Sequence, residues 1–138
     1  MCTDENSREL ISELQEKYND DIFPVKMGVK LLELAPGRAV VELLITGDML
    51  NLHGIAHGGM IFTMADTAFG LASNTRGPAV AMQANINFIR PAKPGSVLRA
   101  TAQEEQLTRK TGVYNITVET DGGENIALLR GVVFRKEG

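Results

Sequence analysis

The stretch GGMIFTMADTAFGLASN, residues 58–74, carries apolar or small side chains on nearly every side of a helix, and a helix of that kind has to be buried. Within 138 residues the rest of the chain must therefore supply walls around it. Residues 27–34 and 38–46 are β-rich and are joined by an APGR turn, which predicts a first hairpin. After the helix, residues 79–90, 96–108, 112–120 and 125–135 are rich in Val, Ile, Thr and Phe. They are separated by PAKPG, RKTG and DGGE turn chemistry, and so read as consecutive antiparallel strands. At the start, Leu10, Ile11, Leu14 and Tyr18 fall at helical spacing over residues 6–18, with Asn6 or Ser7 placed to cap the first turn. The order is short helix, two strands, long apolar helix, four strands, without a repeat. It predicts an α+β fold in which an antiparallel sheet curls around the long helix. One domain is expected over residues 1–138, with residues 1–20 as a helical extension.

Composition narrows the chemistry. The only cysteine is Cys2, so no intrachain disulfide can form, and one cysteine with two histidines is too small a set for a zinc cluster. No metal or cofactor is expected. The leading residues MCTDENSRELISELQEKYNDD lack both the basic start and the apolar run of a secretory signal, which points to the cytoplasm. A net charge of −3, no long basic block, no 18-residue apolar run and no Trp argue against nucleic-acid and membrane partners. Small-molecule chemistry is left.

The loop and helix start Asn51-Leu52-His53-Gly54-Ile55-Ala56-His57-Gly58-Gly59, followed seven residues later by Asp66, concentrate the candidate groups. Gly58 and Gly59 at a helix N-terminus offer unpaired backbone N–H groups and close approach. Together with the helix dipole they would stabilise an oxyanion forming at a carbonyl. Asp66 lies among Met60, Ile61, Phe62, Met64, Ala65, Ala68, Phe69 and Leu71, where a buried carboxylate needs a reason. It is either functional or an acceptor for the Thr63 and Thr67 hydroxyls. His57 reads equally as a loop anchor and His53 as a solvated side chain, while the Asn51 amide suits either a turn or a substrate carbonyl. Patterns for serine hydrolases, phosphate loops, dinucleotide folds and zinc proteases are absent from the sequence. Arg90, Lys93, Arg99, Arg109 and Lys110 either meet phosphates or solvate sheet edges.

Asn51, HGG at 57–59, Asp66 on the apolar helix and NINFIRPA at 85–92 together resemble the hotdog-fold acyl-CoA thioesterases of the phenylacetic acid degradation (PaaI-like) type. The resemblance runs over about residues 32–134 and includes the order of elements. It implies a long helix wrapped by a curved antiparallel sheet, and a homo-oligomer, a dimer of dimers, with active sites at the dimer interface. Asp66 of one subunit, as general base or nucleophile, would face Gly58 of the other. The Gly58 N–H would polarise the thioester carbonyl, Asn51 would orient substrate or water, and His57 would support the loop and the departing thiol. Gly59, Met60, Met82, Arg90 and Lys93 are the candidate contacts to acyl-CoA, with Phe62 and Met64 as further pocket walls. Some relatives carry a hydroxyl residue on the strand after the helix, where this chain has Ala81. A noncatalytic acyl-CoA binding or sensing module is the alternative, and such a module would have no use for Asp66.

Overall fold

The computed structural model describes residues 4–136; Cys2 lies outside the described residues. Helix α1 (Asp4–Tyr18) and a short α2 (Ile22–Met27) lead into strands β1 (Lys30–Ala35) and β2 (Arg38–Leu44). After a 3-10 turn at Gly47–Met49 comes the long helix α3 (Gly58–Asn74), then β3 (Ala79–Phe88), β4 (Val97–Leu107), β5 (Thr111–Thr120) and β6 (Asn125–Arg135). The long helix spans the residues expected from the sequence. Helix α1 is described from Asp4, earlier than expected, so Asn6 and Ser7 lie inside the helix.

Helix α2 replaces the expected strand start at Met27. Pro24 is the third residue of this helix, within the first turn, where its missing N–H costs nothing. Gly28, at φ +94°, ends it by donating its N–H to the Val25 carbonyl at 3.0 Å, a left-handed conformation that suits glycine.

All strands pair antiparallel in one six-stranded sheet of order β1-β2-β4-β5-β6-β3. The meander β4-β5-β6 was expected, but β3 does not pair with its successor and lies beyond β6 at the far edge. The connection after β3, with Pro91 and Pro94, cannot form a tight hairpin. It crosses to the helix start instead, where the Ala56 N–H donates to the Ala92 carbonyl at 2.8 Å and the Gly95 N–H to the Ile45 carbonyl at 2.8 Å.

Helix α3 lies against the concave face through Met64, Ala65, Ala68, Phe69 and Ala72, all buried. Opposite stand Ala39 and Val41 of β2, Ala100 and Ala102 of β4, and Tyr114 and Ile116 of β5, also buried. Small residues on both surfaces let helix and sheet approach closely, so burial is gained without voids. The ring of Phe69 sits over β6 at Gly131, where any Cβ would fall inside contact distance of that ring, and meets Tyr114 at a centroid distance of 5.9 Å. At the C-terminal end of α3, Arg76 makes a two-armed ion pair with Glu104 of β4 (Nε to Oε1 2.8 Å, Nη2 to Oε2 3.3 Å), and the Tyr114 hydroxyl donates to the same carboxylate at 3.3 Å. Burial, then the Glu104 charge, pushes the Tyr114 hydroxyl up to about 12. The helix is thus anchored at the end remote from the HGG loop.

The expectation of all-round burial needs correction. Gly59, Phe62 and Asp66 are exposed, and Thr63, Thr67, Gly70 and Asn74 are only partly covered. Their spacing of three and four makes one stripe facing away from the sheet.

Gly131→Ala is expected to destabilise the fold by about 1–3 kcal/mol through overpacking against Phe69, seen as a lower urea midpoint. Phe69→Leu in the same chain should recover part of that loss.

Candidate active site

The loop before α3 is fixed by its own backbone. Asn51 and Ile55 bond N–H to carbonyl at 2.8 Å, the Gly54 N–H donates to the Asn51 carbonyl at 3.0 Å, and the His57 N–H donates to the Met49 carbonyl at 2.8 Å. The side-chain Oδ1 of Asn51 accepts from the N–H groups of His53 (2.9 Å) and Ile55 (3.4 Å). The oxygen therefore holds the turn, and the Nδ2 amide is left as a donor. Gly54 sits at φ +78°, which lets the loop reverse direction.

His57 is the N-cap of α3, its Nδ1 accepting from the Gly59 N–H at 3.1 Å. This acceptor role places the ring proton on Nε2. It also consumes the Gly59 N–H, so of the two glycines only Gly58 presents an N–H with no acceptor among the described residues. A Cβ on Gly58 would stand 3.3 Å from the Phe88 ring, so the glycine keeps this approach narrow but open. Asn51, Gly58, Ile61, Phe88 and Arg90 line one cavity of about 400 Å³. Its donors are the Gly58 N–H at the positive end of the helix dipole, the Asn51 amide and the Arg90 guanidinium, which also donates to the Asn125 carbonyl at 3.1 Å.

Asp66 opens elsewhere. Eight residues along a helix advance about 12 Å, and Asp66 lines a separate cavity of about 530 Å³ with Leu14, Asp21, Phe23, Pro24 and Phe62. It is exposed at the surface, not buried as the sequence pattern suggested, because it falls on the open stripe of α3. The hydroxyls expected to hold it are turned back into the helix. Thr63 donates to the Gly59 carbonyl at 2.8 Å and Thr67 to the Thr63 carbonyl at 2.7 Å, so the structural explanation for this carboxylate is removed. Among the described residues the carboxylate has no hydrogen-bond donor. Although its surface is open, the surrounding apolar walls partly desolvate it, and this desolvation, with the Asp21 charge second, raises its pKa above the ordinary carboxylate value.

A third cavity of about 400 Å³ lies on the other side of Phe23 and Thr63, lined by Met27, Met49, His57, Gly59 and Met60. The structure thus brings Asn51, Gly58 and Arg90 together, puts His57, Gly59 and Met60 beside them on the helix start, and sets Asp66 apart. Met82 and Lys93 line none of these three cavities: Met82 is the extra residue of a bulge on β3 and is 61% exposed, and Lys93 is exposed on the following connection. Met64, another expected pocket wall, is core. Ala81 pairs with Val133 at the sheet edge. Asp21, Phe23 and Phe88 were not anticipated. The first two lie between the expected helix over 6–18 and the expected strand start at Met27, where no element was expected. Among the described residues no three His, Cys, Asp or Glu side chains come together as metal ligands.

Residues 53–127 match the family model described as Thioesterase superfamily. The chain is 39% identical over 122 residues to the acyl-coenzyme A thioesterase PaaI of Escherichia coli K12, covering 88% of this chain and 87% of that protein. Among solved structures it resembles the E. coli PaaI protein from the phenylacetic acid degradation operon, with a TM-score of 0.91 and 37% identity over 96% of each chain. It also resembles a Streptococcus mutans protein bound to acetyl CoA, with a TM-score of 0.77 and 29% identity over 80% of this chain and 90% of that one.

An aspartate whose folded pKa lies above its unfolded value contributes most to stability in acid, and that contribution is lost as pH rises through the folded pKa. Asp66→Asn removes the ionisation. Its melting temperature is expected to exceed that of the wild type at pH 7, and the gap should close as the pH falls into the carboxylate range. A lower melting temperature at pH 7 would mean that donors from outside the described chain, such as those of a second copy, hold the ionised carboxylate.

Proposed function

The chain belongs to the Thioesterase superfamily, and from that premise we propose that it hydrolyses acyl-CoA or aryl-acyl-CoA to the free acid and CoA at sites shared by two subunits. The observation that carries the two-subunit reading is the separation of Asp66 from Gly58. A thioester carbonyl needs its oxyanion donor and its attacking group each about 3 Å away. One α3 sets them about 12 Å apart and opens them into different cavities. A second copy, placing its Gly58 and Asn51 against Asp66 of the first, supplies both.

In that arrangement Asp66 either attacks the thioester carbon directly or takes a proton from a water that attacks it. The Gly58 N–H of the opposing subunit stabilises the carbonyl oxygen as it gains charge, helped by the helix dipole. The Asn51 Nδ2 amide orients substrate or water, and His57 holds the helix start and faces the departing thiol. Arg90 sits beside Gly58 in position to meet the CoA end of the substrate. Both routes need Asp66 ionised.

The edge of the sheet supports pairing of subunits through β3. This strand of ten residues is at the edge, and a strand with unpaired N–H and C=O groups invites a partner. Through their register with β6, Ala81, Ala84, Ile86 and Phe88 belong to the inward face, yet Phe88 is 53% exposed and Ala81 and Ala84 are uncovered. Further exposed apolar side chains, Leu128 and Phe134 on β6, favour assembly of two dimers into a tetramer. The chain acts as one domain with residues 1–20 as a helical extension, and it works in the cytoplasm. No described helix is long and apolar enough to cross a membrane.

Complementation tests the shared site. Asp66→Ala and Asn51→Asp are each expected to reduce thiol release from acyl-CoA by at least about a hundredfold; the second keeps the Oδ1 that anchors the loop and replaces the donor by a negatively charged oxygen. Co-expressed, random pairing leaves one intact site in half of the dimers and restores up to about a quarter of wild-type turnover. A site within one chain would restore none. The pH profile gives an independent check. Because Asp66 must be ionised and its pKa is raised, the acid limb of kcat/KM should lie above the ordinary aspartate range. Asp21→Asn removes a neighbouring negative charge and should move that limb to lower pH.

A further inference from the structure

The segment between α1 and β1 lies outside the matched residues 53–127 and enters the chemistry above only through the charge of Asp21. It is nevertheless built rigidly. The buried Tyr18 donates its hydroxyl to the Val29 carbonyl at 2.6 Å, closing the segment at both ends. The Val29 N–H donates to the Pro24 carbonyl at 2.9 Å and the Gly28 N–H to the Val25 carbonyl at 3.0 Å. On this clipped element Phe23 remains 59% exposed. With Ile22 and Val25 also exposed, the ring is part of an apolar patch, the kind of surface that marks a ligand or partner contact.

The surface it meets is the open stripe of α3. Phe23 and Thr63 are the two residues that line both the cavity of Asp66, about 530 Å³, and the methionine-walled cavity of His57, Gly59 and Met60, about 400 Å³. The ring therefore stands between two spaces that would otherwise run together along α3. The Asp66 space is walled by Leu14, Pro24, Phe62 and Leu71, and the other by Met27, Met49 and Met60. Both are apolar enough for a hydrocarbon, and methionine walls adapt to varied shapes. Asp21, two residues before Phe23, occupies the N-cap position of α2 but makes no side-chain capping bond, and it lines the Asp66 cavity. Asp21, Phe23 and Pro24 are therefore the part of the segment turned toward Asp66.

We propose that Phe23 is a specificity-determining residue whose ring divides the acyl-binding space over the open face of α3 and so limits the length of the acyl group accepted. This inference rests on the acyl-CoA reading above. A short acyl group fits beside Asp66 without reaching the ring, and a longer one has to pass it. Replacing the ring by a methyl group joins the two spaces. Each methylene newly taken out of water is worth about fourfold in binding.

The test is a series of straight-chain acyl-CoAs from acetyl to dodecanoyl, with phenylacetyl-CoA, assayed with wild type, Phe23→Ala and Phe23→Trp. Phe23→Ala should raise kcat/KM for decanoyl- and dodecanoyl-CoA relative to acetyl-CoA by at least about tenfold, through KM more than kcat, and Phe23→Trp should shorten the preferred chain. The same ranking in all three proteins, with unchanged melting temperatures, overturns the inference and leaves hydrolysis standing. Calorimetric binding of the same series to Asp66→Asn and to Asp66→Asn/Phe23→Ala gives a readout independent of turnover. If wild type releases no thiol but the double variant binds longer chains better than the single one, hydrolysis fails and the role of Phe23 stands. Absence of any chain-length difference in binding overturns the inference whatever the turnover.

Discussion

The close seat of α3 on the concave face of the sheet is the contact on which everything else depends. It works because alanines face alanines across the contact, with Ala65, Ala68 and Ala72 on the helix and Ala39, Ala100 and Ala102 on the strands. Larger residues would push the layers apart and open voids along a helix that has no other large burial surface. Where a large side chain is used, as at Phe69, the sheet yields a glycine beneath it. The Arg76 pair with Glu104 fixes the far end, and the Ala56 bond to Ala92 fixes the near end. The helix can neither slide nor rotate, so its first N–H groups and its open stripe are held in fixed directions.

That rigidity explains the division of labour between the two ends of the loop-helix unit. His57 spends its ring nitrogen on Gly59 and Asn51 spends its oxygen on the turn. What they leave over, the Gly58 N–H and the Asn51 amide, are donors preorganised at one cavity. Preorganisation matters because dipoles that need not turn during the reaction cost nothing at the moment charge develops. Asp66 is treated in the opposite way. It is left without donors among the described residues, beside apolar walls and near a second carboxylate, which raises its proton affinity, the property that the proposed role as general base would use.

Much of this was legible in the sequence, and the parts that were not share a cause. The helix limits at Gly58 and Asn74, the first hairpin and the β4-β5-β6 meander follow from periodicity and turn residues, which are local signals. The HGG start and Asp66 stand out because glycine and aspartate are poor choices in an apolar helix unless something needs them. Strand β3 at the far edge depended on where the 89–96 connection goes, and its contacts with Ala56 and Ile45 are not local. Helix α2 was hidden because Pro24 reads as a breaker when its place in a first turn is unknown. The burial of Asp66 was misjudged for a related reason: with apolar neighbours on every side, sequence spacing cannot tell which stripe the sheet will leave uncovered. Met82 and Lys93 were attractive by residue type, yet a bulge and an exposed connection carry them away from the cavities.

A helix that must be buried but carries a carboxylate poses a problem that one chain of this size does not solve. Covering the stripe with its own residues would bury Asp66 without a partner, at the cost of an unpaired charge in an apolar site. Leaving it bare exposes Phe62 and the apolar inward face of β3. In the proposed dimer a second copy would meet both demands, because the surface it would bring is apolar along β3 and carries an N–H donor at the start of α3. The pairing proposed above would thus cover the hydrocarbon and bring donors within reach of the carboxylate together. On that proposal a subunit alone holds two incomplete halves, one with the donors and one with the carboxylate. The eight-residue spacing from Gly58 to Asp66 keeps those halves from meeting within a chain. On this view the spacing is a requirement of the assembly, since a base placed one turn closer to Gly58 would face the donors of its own subunit and leave the partner's unused.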